Sequence, residues 1–305
     1  MKHMRLILPV IAAALTLHLS PAFAQKLESK PTMGPNSVQL GTGVGKLNIP
    51  KGYAFIGKED THRLLEEPGA RRDEHILGMI APETGPGDWF AVLSYIDTGY
   101  IKDDEADSMK PDTLLREIKD NTDKENADRK EKGLSTIEVV GWQQPPHYDH
   151  VKHSLIWSII GKESGRSDQV INHTSVVFGR EGIMTETVVG DYSKAAALQP
   201  KLSAVGNMVT FNVGKDYGSF RSGDRVSDLT MTGLVTGGAA AAAYGAAKLG
   251  LLGKLGNYIV LAFLALKKAA IVVVVAIGGA IKALWAKITG RRQSASNSPD
   301  LTKPL

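Results

Sequence analysis

The apolar block near the C-terminus constrains this chain more than any other feature. Gly233 to Leu252 is rich in Ala and Gly, Leu255 to Leu266 is more strongly apolar, and Ala269 to Ile281 contains the run Ile271-Val272-Val273-Val274-Val275. So much aliphatic side chain in sequence suits a bilayer rather than water. Lys267-Lys268 interrupts the block. At the bilayer centre each lysine would cost roughly 2.5–3.5 kcal/mol, so the pair belongs at an interface and divides the block into separate segments. Residues 269–286 make a stretch of about 18, which just spans when Lys282 snorkels to the surface. Gly233 to Leu252 is long enough but less hydrophobic. Its small residues, including Gly233-x-x-x-Gly237, offer a surface for close helix packing or self-association into a homo-oligomer.

The other end carries an export pattern. Lys2, His3 and Arg5 precede the mainly apolar run Leu6 to Leu19, and Ala22-Phe23-Ala24 closes it with a small-x-small site. That order predicts a signal peptide over 1–24, cleaved after Ala24. Residues 25–37, polar and Pro-containing, read as a flexible leader. Charge then partitions along the chain. Residues 25–228 hold 25 Lys plus Arg against 31 Asp plus Glu, a net −6, whereas residues 229–305 hold 9 bases and one acid, a net +8. The basic excess therefore surrounds the apolar block, where it orients membrane segments, and does not point to nucleic acid. The expected arrangement has an acidic domain over 38–228, an anchor region over 229–288 and a basic tail over 289–305. The domain is placed in the periplasm of a bacterium, the anchor in the inner membrane and the tail in the cytoplasm. One crossing from Ala269 satisfies this orientation; the alternative is a helical hairpin, which leaves the tail outside. The chain has no cysteine, which excludes disulfide staples, thiolate metal sites and a lipidated N-terminus.

Between Val38 and Ile49, Gly41, Gly43 and Gly45 predict a hairpin or bulged strand. The glycines lack the strand-to-helix context of a phosphate loop, and no Lys-Ser/Thr pair follows them. Trp89 to Ile96 is apolar on both faces, as a central strand is. Ile137 to Trp142, His153 to Ile160, Val170 to Phe178 and Ile183 to Val189 are β-branched runs, the last two joined by a turn at Gly179-Arg180-Glu181-Gly182. Pro111-Asp112 opens a helix that ends before Gly133, and a second helix covers about Ser193 to Met208. Strands with a few long helices and no regular β-α alternation define an α+β fold with a mainly antiparallel sheet and packed helices, completed by a C-terminal transmembrane helix or hairpin.

Candidate site residues fall in four groups. Tyr100, Asp103 and Asp104 sit in a carboxylate-rich stretch after the Trp89 strand. Tyr148, Asp149 and His153 flank the next turn, and His147, His150 and His153 recur every third residue. That spacing puts alternate members on opposite faces of an extended segment, so no metal site and no cofactor are expected. Asn126 and Arg129 lie one turn apart on the charged helix face, read as solvent-exposed or as a structural or ligand-binding pair. Arg180 occupies a hairpin tip. No Gly-x-Ser-x-Gly or Ser-x-x-Lys marks a nucleophile. The first expectation is thus a binding or scaffolding module of the bacterial envelope whose partners are the bilayer and an envelope protein. The second is a membrane-tethered hydrolase, which requires Asp103 or Asp104, His153 and Arg180 to converge in one cleft.

Several strings stand in a specific order: Gly52-Tyr53, Trp89, Gly99-Tyr100-Ile101-Lys102-Asp103-Asp104, Asn126-x-x-Arg129, Gly141-Trp142, Pro146-x-Tyr148-Asp149, His153-x-Leu155-x-Trp157, Gly179-Arg180-x-Gly182 and Gly214-x-x-Tyr217-x-x-Phe220-x-x-x-Asp224. Together they resemble the bacterial domain of unknown function 2167 family, whose members are described as predicted membrane-anchored proteins. The resemblance covers about Val38 to Gly238. It implies an exported domain and a C-terminal anchor, and brings no reaction, substrate or cofactor. The element order is similar to the α/β/α sandwich of the PsbP and Mog1 type.

Overall fold

A computed structural model describes residues 27–65, 73–84, 88–131, 133 and 135–237. The segment expected to be a signal peptide, the apolar block from 238 onward and the basic tail lie outside them. Among the described residues no helix is long and apolar enough to cross a membrane.

Among the described residues eleven strands and four α-helices alternate irregularly: β1 (Thr32–Met33), β2 (Asn36–Leu40), β3 (Gly45–Ile49), β4 (Tyr53–Gly57), α1 (Lys58–Leu65), β5 (Ile76–Pro82), β6 (Trp89–Ile96), α2 (Pro111–Glu131), β7 (Ile137–Asp149), β8 (Ser154–Glu163), β9 (Gln169–Phe178), β10 (Ile183–Asp191), α3 (Ala195–Val205), β11 (Val209–Phe211) and α4 (Met231–Thr236). Eight strands form one antiparallel sheet in the order β1-β4-β5-β6-β10-β9-β8-β7, and β11-β3-β2 form a small second sheet. The fold is therefore α+β and mainly antiparallel. As its two apolar faces require, β6 lies inside the sheet between β5 and β10.

Each face of the large sheet carries its own core. On one, Phe90, Val92, Leu155, Trp157, Val176 and Ile183 pack with Leu114 and Ile118 of α2 and with Met231, Leu234 and Val235 of α4. On the other, Ala91, Leu93, Ile171, Met184 and Val188 pack with Leu198, Leu202 and Val205 of α3 and with Leu47 and Val209 of the small sheet. Each such fully buried aliphatic side chain contributes roughly 1.5–3 kcal/mol. Glycine permits the β2-β3 turn, where Gly41 and Gly43 both have positive φ. At the far edge β7 is long but interrupted by register shifts, and Pro145 and Pro146 lie within it.

Two boundaries differ from expectation. Residues 27–37 are tied to the domain: the Glu28 and Ser29 amides donate to Asp60 (2.8 and 3.0 Å), and β1 pairs with β4. A buried carboxylate on α1 thus holds a segment whose polarity suggested a free leader. Residues 229–237, expected to open an anchor region, belong to the folded domain as well. Leu229, Met231, Leu234 and Val235 belong to the core, the Thr232 amide and hydroxyl donate to Glu105, and Asn121 Nδ2 donates to the Thr236 carbonyl. Gly233 is buried in this short helix, and Gly237 ends it in a left-handed conformation (φ 67°). The Gly233-x-x-x-Gly237 spacing is thus a helix end docked on α2, not a membrane packing face.

Candidate functional site

The loop after β6, the β7-β8 turn, the β9-β10 turn and the connection after β11 meet at one end of the large sheet. The strand register alone brings the first three together, because Ile183 faces Ile96 and Phe178, and Ser154 faces Val177 and Asp149. Backbone bonds add the fourth. The Tyr100 amide donates to the Arg225 carbonyl, the Ser227 amide donates to the Tyr100 carbonyl (both 2.8 Å), and Gly179 bridges Asp216. Gly99 is required here. Its φ is +83°, and a Cβ would lie 2.7 Å from the Arg225 carbonyl oxygen.

This framework brings five side chains together. The Tyr148 hydroxyl, buried at the end of β7, donates to Asp103 Oδ2 (3.0 Å) and lies 3.2 Å from His153 Nδ1. His153 Nδ1 and Asp103 Oδ2 are 3.9 Å apart, with their side chains 36% and 31% exposed, so the polar centre opens to solvent on one side. Tyr217 stacks on Tyr100 and lies tilted against His153, with ring centroids 4.5 and 4.4 Å away. Phe220 covers the other face of Tyr100, and Phe178 closes the cluster against Tyr148 and Tyr217.

Its electrostatics follow from burial. The Tyr148 phenol is pushed above its ordinary range by desolvation and then by its bond to Asp103, so it stays protonated as a donor. Desolvation raises Tyr217 in the same direction, with the Tyr100 hydroxyl beside it next in effect. The Tyr217 hydroxyl is buried and makes no hydrogen bond of good geometry among the described residues. Buried polar groups are rarely left so, and those that are mark strain or an absent partner. His153 has φ 47°, unusual for a residue with a Cβ.

Of the residues singled out from sequence, Tyr100, Asp103, Tyr148 and His153 converge. The others do not join them. Asp149 Oδ1 accepts the Val151 and Lys152 amides, which shape the turn that delivers His153; those bonds, with Lys152 first, hold its carboxyl below the usual range. Asp104 is placed in no contact of the cluster. Asn126 and Arg129, expected on an exposed face, are buried. Asn126 exchanges two bonds with the Ile137 backbone (2.8 and 2.9 Å) and Arg129 Nε donates to the Ser135 carbonyl (2.7 Å), so the pair clasps the end of α2 to the start of β7. Arg180 grips Asp224 through two bonds of 2.7 Å, and this pairing holds the Asp224 carboxyl down at about 2. Its role is to pin the connection that carries Tyr217 and Phe220. His150 pairs with Asp107 rather than with the other histidines.

The convergence of Asp103, His153 and Arg180 that a hydrolase was expected to need is therefore not found, because the Arg180 guanidinium is committed to Asp224. Tyr217 was missed as a site residue, although Gly214-x-x-Tyr217-x-x-Phe220 marks its loop. A second missed group is Glu186 of β10. It is fully enclosed under α3, both carboxyl oxygens lack a partner among the described residues, and desolvation pushes it well above the carboxylate range. On the neighbouring strand, His173 Nδ1 meets Ser158 Oγ at 2.7 Å, and burial holds the imidazole down at about 4.

Residues 32–278 match the model of the family described as protein of unknown function (DUF2167), and the chain belongs to that family. No curated protein matches it. Among solved structures it is similar to the PsbP protein CyanoP of Synechocystis sp. PCC 6803 (10% identity, 58% of this chain and 92% of that one, TM-score 0.36). It is also similar to the Ran-binding protein Mog1p of Saccharomyces cerevisiae (12%, 62% and 100%, TM-score 0.30). A third is LpqN of Mycobacterium tuberculosis, described as involved in cell envelope biogenesis (14%, 60% and 90%, TM-score 0.28). None reaches a TM-score of 0.5, so none defines the fold beyond the sheet and helices above.

Proposed function

We propose that this protein is an exported binding module of the bacterial envelope, held at the inner membrane by its C-terminal apolar block. Its ligand or partner engages the Tyr100, Asp103, Tyr148, His153 and Tyr217 cluster. The observation that carries this reading is the convergence of three phenols, a carboxylate and an imidazole at a half-open end of the sheet, with the Tyr217 hydroxyl buried and without a hydrogen bond of good geometry. The export pattern, the acidic domain and the basic surroundings of the apolar block support the location.

The experiment compares wild type with Asp103→Asn, both full-length and solubilised from membranes in detergent. The expected result is a chain in the membrane pellet whose N-terminus is Gln25, together with a component that copurifies with wild type and is lost with Asp103→Asn. A chain that stays in the supernatant with residues 1–24 attached would overturn the location. Identical copurifying components for the two proteins would overturn the site.

A further inference from the structure

We infer that the Asp103, Tyr148 and His153 side chains form a metal site for a hard, strongly polarising ion of the ferric class. This rests on the binding reading above and names its ligand. The donors are one carboxylate oxygen, one phenol oxygen and one imidazole nitrogen. Their separations are 3.0, 3.2 and 3.9 Å. A triangle with those edges has a centre about 2.0 Å from every corner, the bond length that first-row transition ions adopt with oxygen and nitrogen ligands. An ion can therefore sit among the three atoms with little movement of the protein.

A second observation points to a ligand independently. The Tyr217 hydroxyl, on a residue only 6% exposed, makes no hydrogen bond of good geometry among the described residues, and its ring lies tilted against the His153 ring. It is a further oxygen for a water bound to the ion. The half-exposed edges of Asp103 and His153 provide the entry path from solvent.

The donor chemistry selects the ion. Oxygen donors with one imidazole and no sulfur suit hard ions rather than soft ones. A phenolate oxygen is itself a hard donor, and a phenol that is hydrogen-bonded to a carboxylate yields its proton only to a strongly polarising cation. The step balances: the ion takes the phenolate oxygen and the Nδ1 lone pair, the neutral imidazole carries its proton on Nε2, and the phenolic proton leaves to solvent, as metal binding to protonated ligands requires. The histidine triplet seen in the sequence does not carry this site. Among the described residues no three His, Cys, Asp or Glu are placed to hold a metal, so the phenol is the donor that completes the set.

The test titrates ferric citrate into the full-length protein in detergent and follows visible absorption. Phenolate bound to ferric iron produces a charge-transfer colour that carboxylate and imidazole alone do not. The expected result is a saturable coloured species with one ion per chain, absent in Tyr148→Phe and more than about tenfold weaker in Asp103→Asn and His153→Gln. Circular dichroism confirms that each variant is folded. If Tyr148→Phe does not fold, the half-exposed His153→Gln decides. A colourless wild type overturns the inference, and so does colour that survives both Tyr148→Phe and His153→Gln. If wild type stays colourless while a component still copurifies in an Asp103-dependent manner, the ion is wrong and the binding module stands.

Discussion

At the scale of single residues, the buried carboxyl of Glu186 makes the sharpest prediction. In the folded chain its affinity for a proton is raised well above that of an exposed glutamate, whose reference value is 4.5. The folded state thus holds this proton more tightly than the unfolded state does. The contribution to stability is complete below about pH 4.5 and declines as pH rises toward the folded value. His173, on the same face of the neighbouring strand, is depressed instead and titrates in acid in both proteins, so it cancels from a comparison. The difference in unfolding free energy between Glu186→Gln and wild type should be near zero below pH 4.5 and grow with pH to about 1–3 kcal/mol. Urea denaturation across that range measures it, and a pH-independent difference refutes the assignment. A lone acid in Ile183-Met184-Thr185-Glu186-Thr187-Val188-Val189 is visible in the sequence, but solvent exposure is the ordinary reading of such a residue.

At the scale of elements, α4 decides where the folded domain ends. A chain terminated after Asp228 loses Leu229, Met231, Leu234 and Val235 from the core shared with α2. With roughly 1.5–3 kcal/mol for each side chain, this loss approaches the whole stability of an ordinary domain. A chain terminated after Gly237 keeps all four. Thermal denaturation should therefore show a cooperative transition for the longer version and its loss or a steep drop for the shorter. Equal melting temperatures would show that α4 contributes nothing. The sequence could not place this boundary, because Leu229 to Val235 leads without a charge into the greasier stretch beyond, and burial in protein and in lipid select the same residues. The strands were legible for the opposite reason. β6, β9 and β10 are apolar or β-branched runs ended by Gly, Pro or Asp, so period and punctuation agreed. The site was half legible. Asp103, Tyr148 and His153 each stood out as polar groups beside strand ends, but the register that unites them is long-range.

At the scale of the whole molecule, the charge partition predicts orientation. Because the chain contains no cysteine, one engineered thiol reports a single position. On the proposed topology, Ser167→Cys in the exposed β8-β9 connection is labelled by a membrane-impermeant maleimide in cells with a permeabilised outer membrane, and Ser294→Cys beside Arg291-Arg292 is labelled only after lysis. Labelling of both in unlysed cells would instead indicate a hairpin anchor. The large sheet has a property suited to such a setting. One flank is the two-residue β1; the other is β7, whose Pro145 and Pro146 have no amide hydrogen to offer and whose register shifts break the ladder. On the proposed topology, copies sharing a bilayer would find no continuous template at either flank along which to zip together, which would leave the open end of each large sheet free.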